Sequence, residues 1–254
     1  EFHATLMRNP FTKGFDRLKK EHNELIIFSD MGSGQIEPIE HINCKVIILD
    51  HHQYITAQTS ENIIQINSNW LGVDGNYEAS GATLIYAFAT ELDPTNEDLA
   101  PLALAGAAGD KQFIGGARGL NKQILDTALQ KGILTEQTSI KLYGETIADA
   151  LFFSVDPYYP GLSGNHDAIE TMLEKLNVKK SASLQDINHE TMMRLHSLLL
   201  FRLIKAGCQL NILDMTIRKR YIAPHGWELE RFADLLDACG KNGHRSLGLA
   251  ICLD

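Results

Sequence analysis

The stretch KVIILDHHQY, residues 45–54, is an apolar run that ends abruptly on Asp50, His51 and His52. A buried strand has no structural need of a carboxylate and two imidazoles at its tip. Together they are donors for a divalent cation. Imidazole with carboxylate suits Mn²⁺, Fe²⁺, Zn²⁺ or Mg²⁺, and a carboxylate-rich set without thiolates leans toward Mn²⁺ or Mg²⁺. Two such ions close together would activate a water and stabilise the leaving oxygen in phosphoester cleavage.

Two further carboxylates belong to the same picture. ELIIFSD, residues 24–30, is another short apolar run and ends on Asp30. Asp110 closes LAGAAGD, a helical run of small residues that lets another backbone approach closely. In open α/β sheets ligands bind beyond the carboxyl ends of the strands. Asp30, Asp50, His51 and His52 are therefore expected to converge on one crevice, with Asp110 within reach. Taken singly, Asp30 reads as a cap or turn residue, the histidines as surface or core residues, and Asp110 as a plain helix end. Such unrelated roles do not account for carboxylates and imidazoles at the same end of consecutive strands.

The elements that must position these groups are alternating strands and helices. ELIIFSD, KVIILD and NIIQINS are continuous Val/Ile/Leu runs, the pattern of parallel strands covered on both faces. GQIEPIEHIN (34–43) supplies a turn and a short helix. Ser80 is the expected N-cap of GATLIYAFATEL, and Thr95 or Asn96 that of EDLAPLALAGAAGD. NKQILDTALQKGIL, GETIADALFF, AIETMLEKLNV and residues 189–206 read as helices, and SVDPYYPGLSGNH (154–166) as a loop. NILDMTIRKRYIA alternates as strands do, and ELERFADLLDACG is a helix with Gly240 as its C′ glycine. SLGLAICLD is expected to be a last strand and FHATLMR a first one.

The glycine-rich turns hold two more candidates. DMGSGQ (30–35) can bend around a phosphate or metal, but it lacks the Gly-Lys-Ser/Thr of a nucleotide P-loop. GKNGHRSLG (240–248) sets Lys241, His244 and Arg245 in a turn. It is either a plain connection or a clamp for a phosphate or nucleotide.

Composition bounds the function. The chain has 254 residues, 44% hydrophobic and 22% charged, enough for a full core and for two domains. Its net charge of −9 excludes a broad basic footprint for duplex nucleic acid, and favours a small or single-stranded substrate held by a metal and a few placed side chains. Cys44, Cys208, Cys239 and Cys252 are widely spaced, as in a cytoplasmic protein with reduced thiols. There is no apolar run of membrane-spanning length and no signal-peptide pattern at the start, so no membrane partner is expected.

IIFSDMGSGQ, VIILDHHQ, ASGATLIYAF and LALAGAAGDKQ together resemble the DHH phosphoesterase superfamily. FADLLDACGKNGHRSLGLAICL resembles the accessory DHHA1 domain of RecJ-like nucleases. Its LLDACGKNGH wording is most similar to archaeal RecJ-like exonucleases, including the nuclease associated with the GINS replication complex. The resemblance implies an α/β fold: a parallel Rossmann-like DHH catalytic domain over 1–135, a helical linker region over 136–206 and a smaller α/β DHHA1-type substrate-binding domain over 207–254.

It further implies two Mn²⁺ or Mg²⁺ ions, with Asp30 bridging them, His51 and Asp110 as further ligands, Asp50 orienting the site and His52 facing the substrate phosphate. Asn242, Gly243, His244 and Arg245 would hold the substrate's terminal phosphate or backbone, although the family's Gly-Gly-His reads Asn242-Gly243-His244 here. The implied activity is a single-strand-specific DNA or RNA exonuclease, with a GINS-like complex as a further partner. A phosphodiesterase for short oligonucleotides or cyclic dinucleotides and a catalytically silent replication scaffold are the alternatives. The family's first motif, His-x-Asp-x-Asp, is expected upstream of Asp30. FHATLMR holds His3 but no such string, so the sequence reads as a fragment cut at both ends, inside the catalytic domain at its start and inside the accessory domain at its finish.

Overall fold

Three of the apolar runs form a parallel sheet in the order β1-β2-β3, with β1 at Leu25–Ser29, β2 at Lys45–Asp50 and β3 at Ile63–Asn67. This arrangement comes from a computed structural model that describes residues 3–7, 11–56, 58–184, 186–209, 213 and 216–253. The register aligns Phe28 with Ile48 and Gln65, and brings Asp50 opposite Asn67 at the strand ends. The fold is thus mixed α/β, built on a parallel sheet. The chain divides into two compact units, Glu1–Glu136 with Tyr221–Asp254, and Gln137–Arg220.

Strand alternation sorts the sheet's side chains onto two faces. Phe28, Val46, Ile48 and Ile63 are buried on one of them, against Phe15 of α1 (Thr12–Leu18) and Ile36 and Ile39 of α2 (Ile36–Glu40). The other face departs from the expectation of full cover. Leu49 is buried, but Leu25, Ile27 and Ile64 are 46–59% exposed. The helix that packs here, α3 (Gly81–Leu92), meets β1 and β2, and its first residue lies beside Asp30 just past the end of β1.

Helix α3 is capped as expected. Ser80 Oγ accepts from the Thr83 amide, and Thr83 Oγ1 accepts from the Ser80 amide. The next cap falls elsewhere. Asp93 takes the Thr95 amide and hydroxyl and starts a 3₁₀ segment, Pro94–Leu99, so neither Thr95 nor Asn96 caps α4 (Ala100–Gly109). A carboxylate two residues before the amide and a proline at the first turn outcompete a cap farther along.

The small residues of α4 let its neighbours come close. A Cβ on Gly106 would sit 2.4 Å from Ala82 Cβ of α3. On its other side α4 packs against α9 (Leu229–Lys241), where Ala233 lies 3.8 Å from the Cβ position of Gly109. With α5 (Gly119–Gln130) these helices share a core of Leu104, Ile124, Leu125, Leu134 and Leu229.

The second unit holds α6 (Ile147–Phe152), α7 (His166–Lys175) and α8 (His189–Lys205), each begun by an Asn or Thr side-chain cap, around Leu151, Tyr159, Leu162, Leu173 and Leu195. Strands β4 (Thr135–Ile140) and β5 (Ile217–Ile222) pair as a two-stranded sheet. β5 lies within the alternating NILDMTIRKRYIA run, of which residues 210–212 and 214–215 fall outside the described residues. β4 escaped the sequence reading because TEQTSI is polar and largely exposed, with only Thr and Ile to mark it.

Both terminal strand expectations fail. Residues 3–7 have no regular structure and Arg245–Leu253 is a helix, α10, while residues 2, 8 and 254 of the two runs lie outside the described residues. A short apolar run is ambiguous by period. Gly248 is buried and its Cβ position lies 3.3 Å from Cys239 Cβ, while Leu247 and Ala250 are exposed, a one-sided helical pattern. Gly240 is likewise inside α9, whose chain reversal uses Gly243 at φ +81° after Asn242 as C-cap. Among the described residues no helix is long and apolar enough to cross a membrane.

Candidate metal centre

Asp30 sits directly beyond β1, at φ +62°, a left-handed conformation that short polar residues tolerate best. Its amide is fixed to the Leu49 carbonyl at 2.9 Å, so the turn is tied to the neighbouring strand. Its side chain lies where a Cβ on Gly81 would be, only 2.4 Å from Oδ1. Glycine at the first position of α3 therefore makes room for the carboxylate.

His51 is 9% exposed and held at both ring nitrogens. Nδ1 donates to the Gly75 carbonyl at 2.6 Å, which leaves Nε2 facing Asp30 Oδ1 at 3.1 Å and Asp110 Oδ2 at 3.6 Å. Asp110 enters at the C-cap of α4, where Lys111 at φ +61° and the Gln112 amide on the Ala107 carbonyl close the helix in a Schellman-type turn. Asp50, 1% exposed, is an acceptor for three donors: the Ser33 amide at 2.9 Å, the His52 amide at 3.1 Å and His52 Nδ1 at 2.8 Å. His52 is 59% exposed at its side chain and tilts over His51 with ring centres 4.3 Å apart.

The electrostatics reflect a pocket rich in anionic charge. Burial by itself lowers the His51 pKa, but the Asp30 hydrogen bond, the Gly75 carbonyl and the charges of Asp30 and Asp110 outweigh it and raise the imidazole to about 9. Burial and the facing Asp30 charge push Asp110 up, against the pull of His51 and His52. Burial would also raise Asp50, yet its hydrogen bonds from His52 and Ser33 dominate and hold it below the ordinary carboxylate range.

These shifts predict how the metal-free protein responds to pH. A His51 raised from about 6.5 to about 9 contributes stability that is complete below the lower value. That contribution is lost as pH rises through about 9. Chemical denaturation in chelator should therefore show falling stability across this window, and a flatter profile for His51→Gln. Asp50 acts in the opposite sense, its contribution being lost as pH falls below the ordinary carboxylate range.

A second layer of residues supports the first, and the motif reading did not name it. The Gly75 carbonyl that orients His51 also accepts from Gln112 Nε2 at 2.9 Å. Gln112 donates as well to the Ala79 carbonyl and accepts from Asn121, whose Oδ1 takes the Thr83 hydroxyl. Asn67, opposite Asp50 in the register, donates to Ser33 Oγ and the His52 carbonyl, and Asn69 donates to the His51 carbonyl at 2.8 Å. Asn67 and Asn69 were legible in principle as polar residues at the end of a third strand. Gln112 and Asn121 were not, because their roles depend on long-range contacts.

The donor set fits a divalent cation. Two carboxylates and an imidazole whose other nitrogen is anchored to a carbonyl are a common arrangement of oxygen and nitrogen ligands with a supporting outer shell. Cis ligands around an octahedral ion with bonds of about 2.1 Å lie about 3 Å apart. The spacings of 3.1 and 3.6 Å around His51 Nε2 are close to that. Asp30, His51 and His52 also bring one ligand atom each to within 4.8 Å of the others, which makes His52 an additional candidate donor.

Residues 3–107 match the DHH family, N-terminal domain. The DHH match contains four of the five clustered residues, and its family points to a metal-dependent phosphoesterase. Over its whole length the chain is also 31% identical to an uncharacterized protein of Methanocaldococcus jannaschii, and it spans 57% of that protein's length. Asn242, Gly243, His244 and Arg245 lie outside the DHH match, the first three in the turn between α9 and α10 and Arg245 as the first residue of α10 rather than in the turn. The Asn242 side chain bonds the Ala238 carbonyl and the His244 amide bonds the Cys239 carbonyl. Among the described residues, no hydrogen bond joins these four to Asp30, His51, His52 or Asp110.

Proposed function

We propose that the chain is the working part of a single-strand-specific DNA or RNA exonuclease, a metal-dependent phosphodiester hydrolase. The observation that carries this reading is the convergence of Asp30, Asp110 and the anchored Nε2 of His51 at the C-terminal edge of a parallel sheet. In this reading Asp30, His51 and Asp110 would hold Mn²⁺ or Mg²⁺. When bound, such ions supply positive charge for the phosphate and a water of lowered pKa.

The chain's own residues do the positioning. Gly75 and Gln112 fix the rotation and tautomer of His51. Asp50 fixes His52 through Nδ1, so the exposed ring can offer its other nitrogen to a phosphate oxygen. The turn at Asn242, Gly243 and His244, with Arg245 at the start of α10, would grip the strand's terminal phosphate, and the exposure of the turn and the positive φ of Gly243 suit that task. The net charge of −9 supports a substrate held at few points, hence single strands rather than duplex, and leaves short oligonucleotides or cyclic dinucleotides as a second reading. The four free thiols are in keeping with a cytoplasmic setting, and the LLDACGKNGH resemblance supports recruitment by a GINS-like complex.

End-labelled single-stranded DNA and RNA, a duplex and a cyclic dinucleotide, each incubated with the chain in Mn²⁺, test this. Stepwise shortening of the single strands, abolished by chelator, is expected. Cleavage of the cyclic dinucleotide alone would favour the second reading, and cleavage of none would sink both.

A further inference from the structure

We infer that the mouth of the metal centre carries an aromatic platform, Tyr54, Trp70 and Tyr77, that stacks the bases next to the phosphate being cleaved. The inference deepens the nuclease reading and rests on it for the identity of the ligand. Tyr54 is 37% exposed, Trp70 47% and Tyr77 52%, although large aromatic rings are among the side chains that gain most from burial. They belong to two loops, Tyr54 in the one after β2 and Trp70 and Tyr77 in the one between β3 and α3, and both loops are tied to the metal centre.

Tyr54 follows His52 by two residues, and the next amide, Ile55, bonds the carbonyl of Ser33, whose own amide holds Asp50. Trp70 follows Asn69, which bonds the His51 carbonyl, and its amide bonds Asn67. Tyr77 follows by two residues the Gly75 carbonyl that anchors the His51 ring. Arg118 lies 5.8 Å from the Tyr77 ring centre and adds a cation beside it. Ile55 and Leu71, the next residues after Tyr54 and Trp70, are exposed and apolar as well, at 71% and 62%.

The charge of the protein explains why such a platform is needed. A chain at −9 cannot rely on phosphate neutralisation along a strand. Stacking on aromatic faces is the other general source of single-strand affinity, and it tolerates any sequence because every base has a π face. An occupant that is a protein would not explain why all three rings sit within two residues of groups that hold the DHH triplet.

The chain has two tryptophans, and Trp227 is partly buried against Phe232, so Trp227→Phe leaves Trp70 as the sole indole reporter. Its fluorescence is titrated in chelator with single-stranded oligothymidylate and with an abasic strand of equal phosphate count. Quenching by the thymidine strand and not by the abasic one is expected. Tyr54→Leu and Tyr77→Leu should each weaken oligothymidylate binding about tenfold, with Tyr→Phe restoring it, since a phenyl ring still stacks.

Equal response to both strands, or to neither, would overturn the platform. Metal-dependent hydrolysis of bis(p-nitrophenyl) phosphate separates the two readings. Hydrolysis without base-dependent quenching removes the platform and keeps the phosphoesterase, and quenching without hydrolysis does the reverse.

Discussion

Asp30→Asn is expected to lower metal-dependent phosphodiester hydrolysis on the order of a thousandfold, equivalent to about 4 kcal/mol of transition-state stabilisation. Asparagine is the informative replacement because it keeps the size of the side chain and tolerates the φ of +62° found there. Alanine would add backbone strain to the loss of charge and so blur the cause. The carboxylate is itself more than half exposed, but it faces the buried His51 Nε2 at 3.1 Å and is first among the groups that raise that ring's pKa. At neutral pH the metal-free variant should therefore melt somewhat below the parent, while turnover collapses far beyond what that loss explains. A rate within a few-fold of the parent would mean that Asp30 is not a ligand.

Gly75→Ala is expected to cost about 3 kcal/mol of folding stability and to weaken metal binding by about tenfold to a hundredfold. A Cβ there would lie 1.9 Å from the His51 carbonyl oxygen and 2.9 Å from the Asn69 amide nitrogen. The first of these is backbone, on the triplet itself, and cannot swing away. The carbonyl of the same residue orients the His51 ring, so relief of the clash must move the group that sets the tautomer. Gly81→Ala makes a useful contrast. Its Cβ would meet Asp30 Oδ1 at 2.4 Å and Asp30 Cβ at 2.7 Å, so there the ligand itself and not the His51 carbonyl must shift. Metal affinity should fall there with a smaller loss of stability than at Gly75. Denaturant titration with and without Mn²⁺ separates the two cases, and equal destabilisation by both would contradict the assignment of the Gly75 contact.

The parts of this protein that were legible in sequence are those written in local chemistry. A continuous Val/Ile run ending on a carboxylate specifies both a strand and the group at its tip, so β1, β2 and the Asp30–Asp50–His51–His52 cluster could be placed from spacing alone. Ser80 declared itself as a cap through its own side chain. The glycines of LAGAAGD implied close helix packing, and Gly106 against Ala82 is that contact. What was not legible depends on partners far along the chain. The identity of SLGLAICL as a helix goes with Gly248 packing on Cys239, which its own period does not encode. The open side of the sheet could not be foreseen, because nothing in Leu25, Ile27 or Ile64 tells how far α3 reaches. The supporting chain from Gly75 through Gln112 and Asn121 to Thr83 spans nearly 50 residues and has no motif.

The measurement that bears most directly on the metal centre is Mn²⁺ binding followed by electron paramagnetic resonance of the free ion, run at pH 8 on the chain and on its His51→Gln variant. At that pH the apo imidazole, raised to about 9, is largely protonated, so uptake should be saturable and should release protons to the medium. The variant should bind far more weakly and release fewer protons. Identical binding curves and proton release for the two proteins would contradict a cation held by His51 between Asp30 and Asp110.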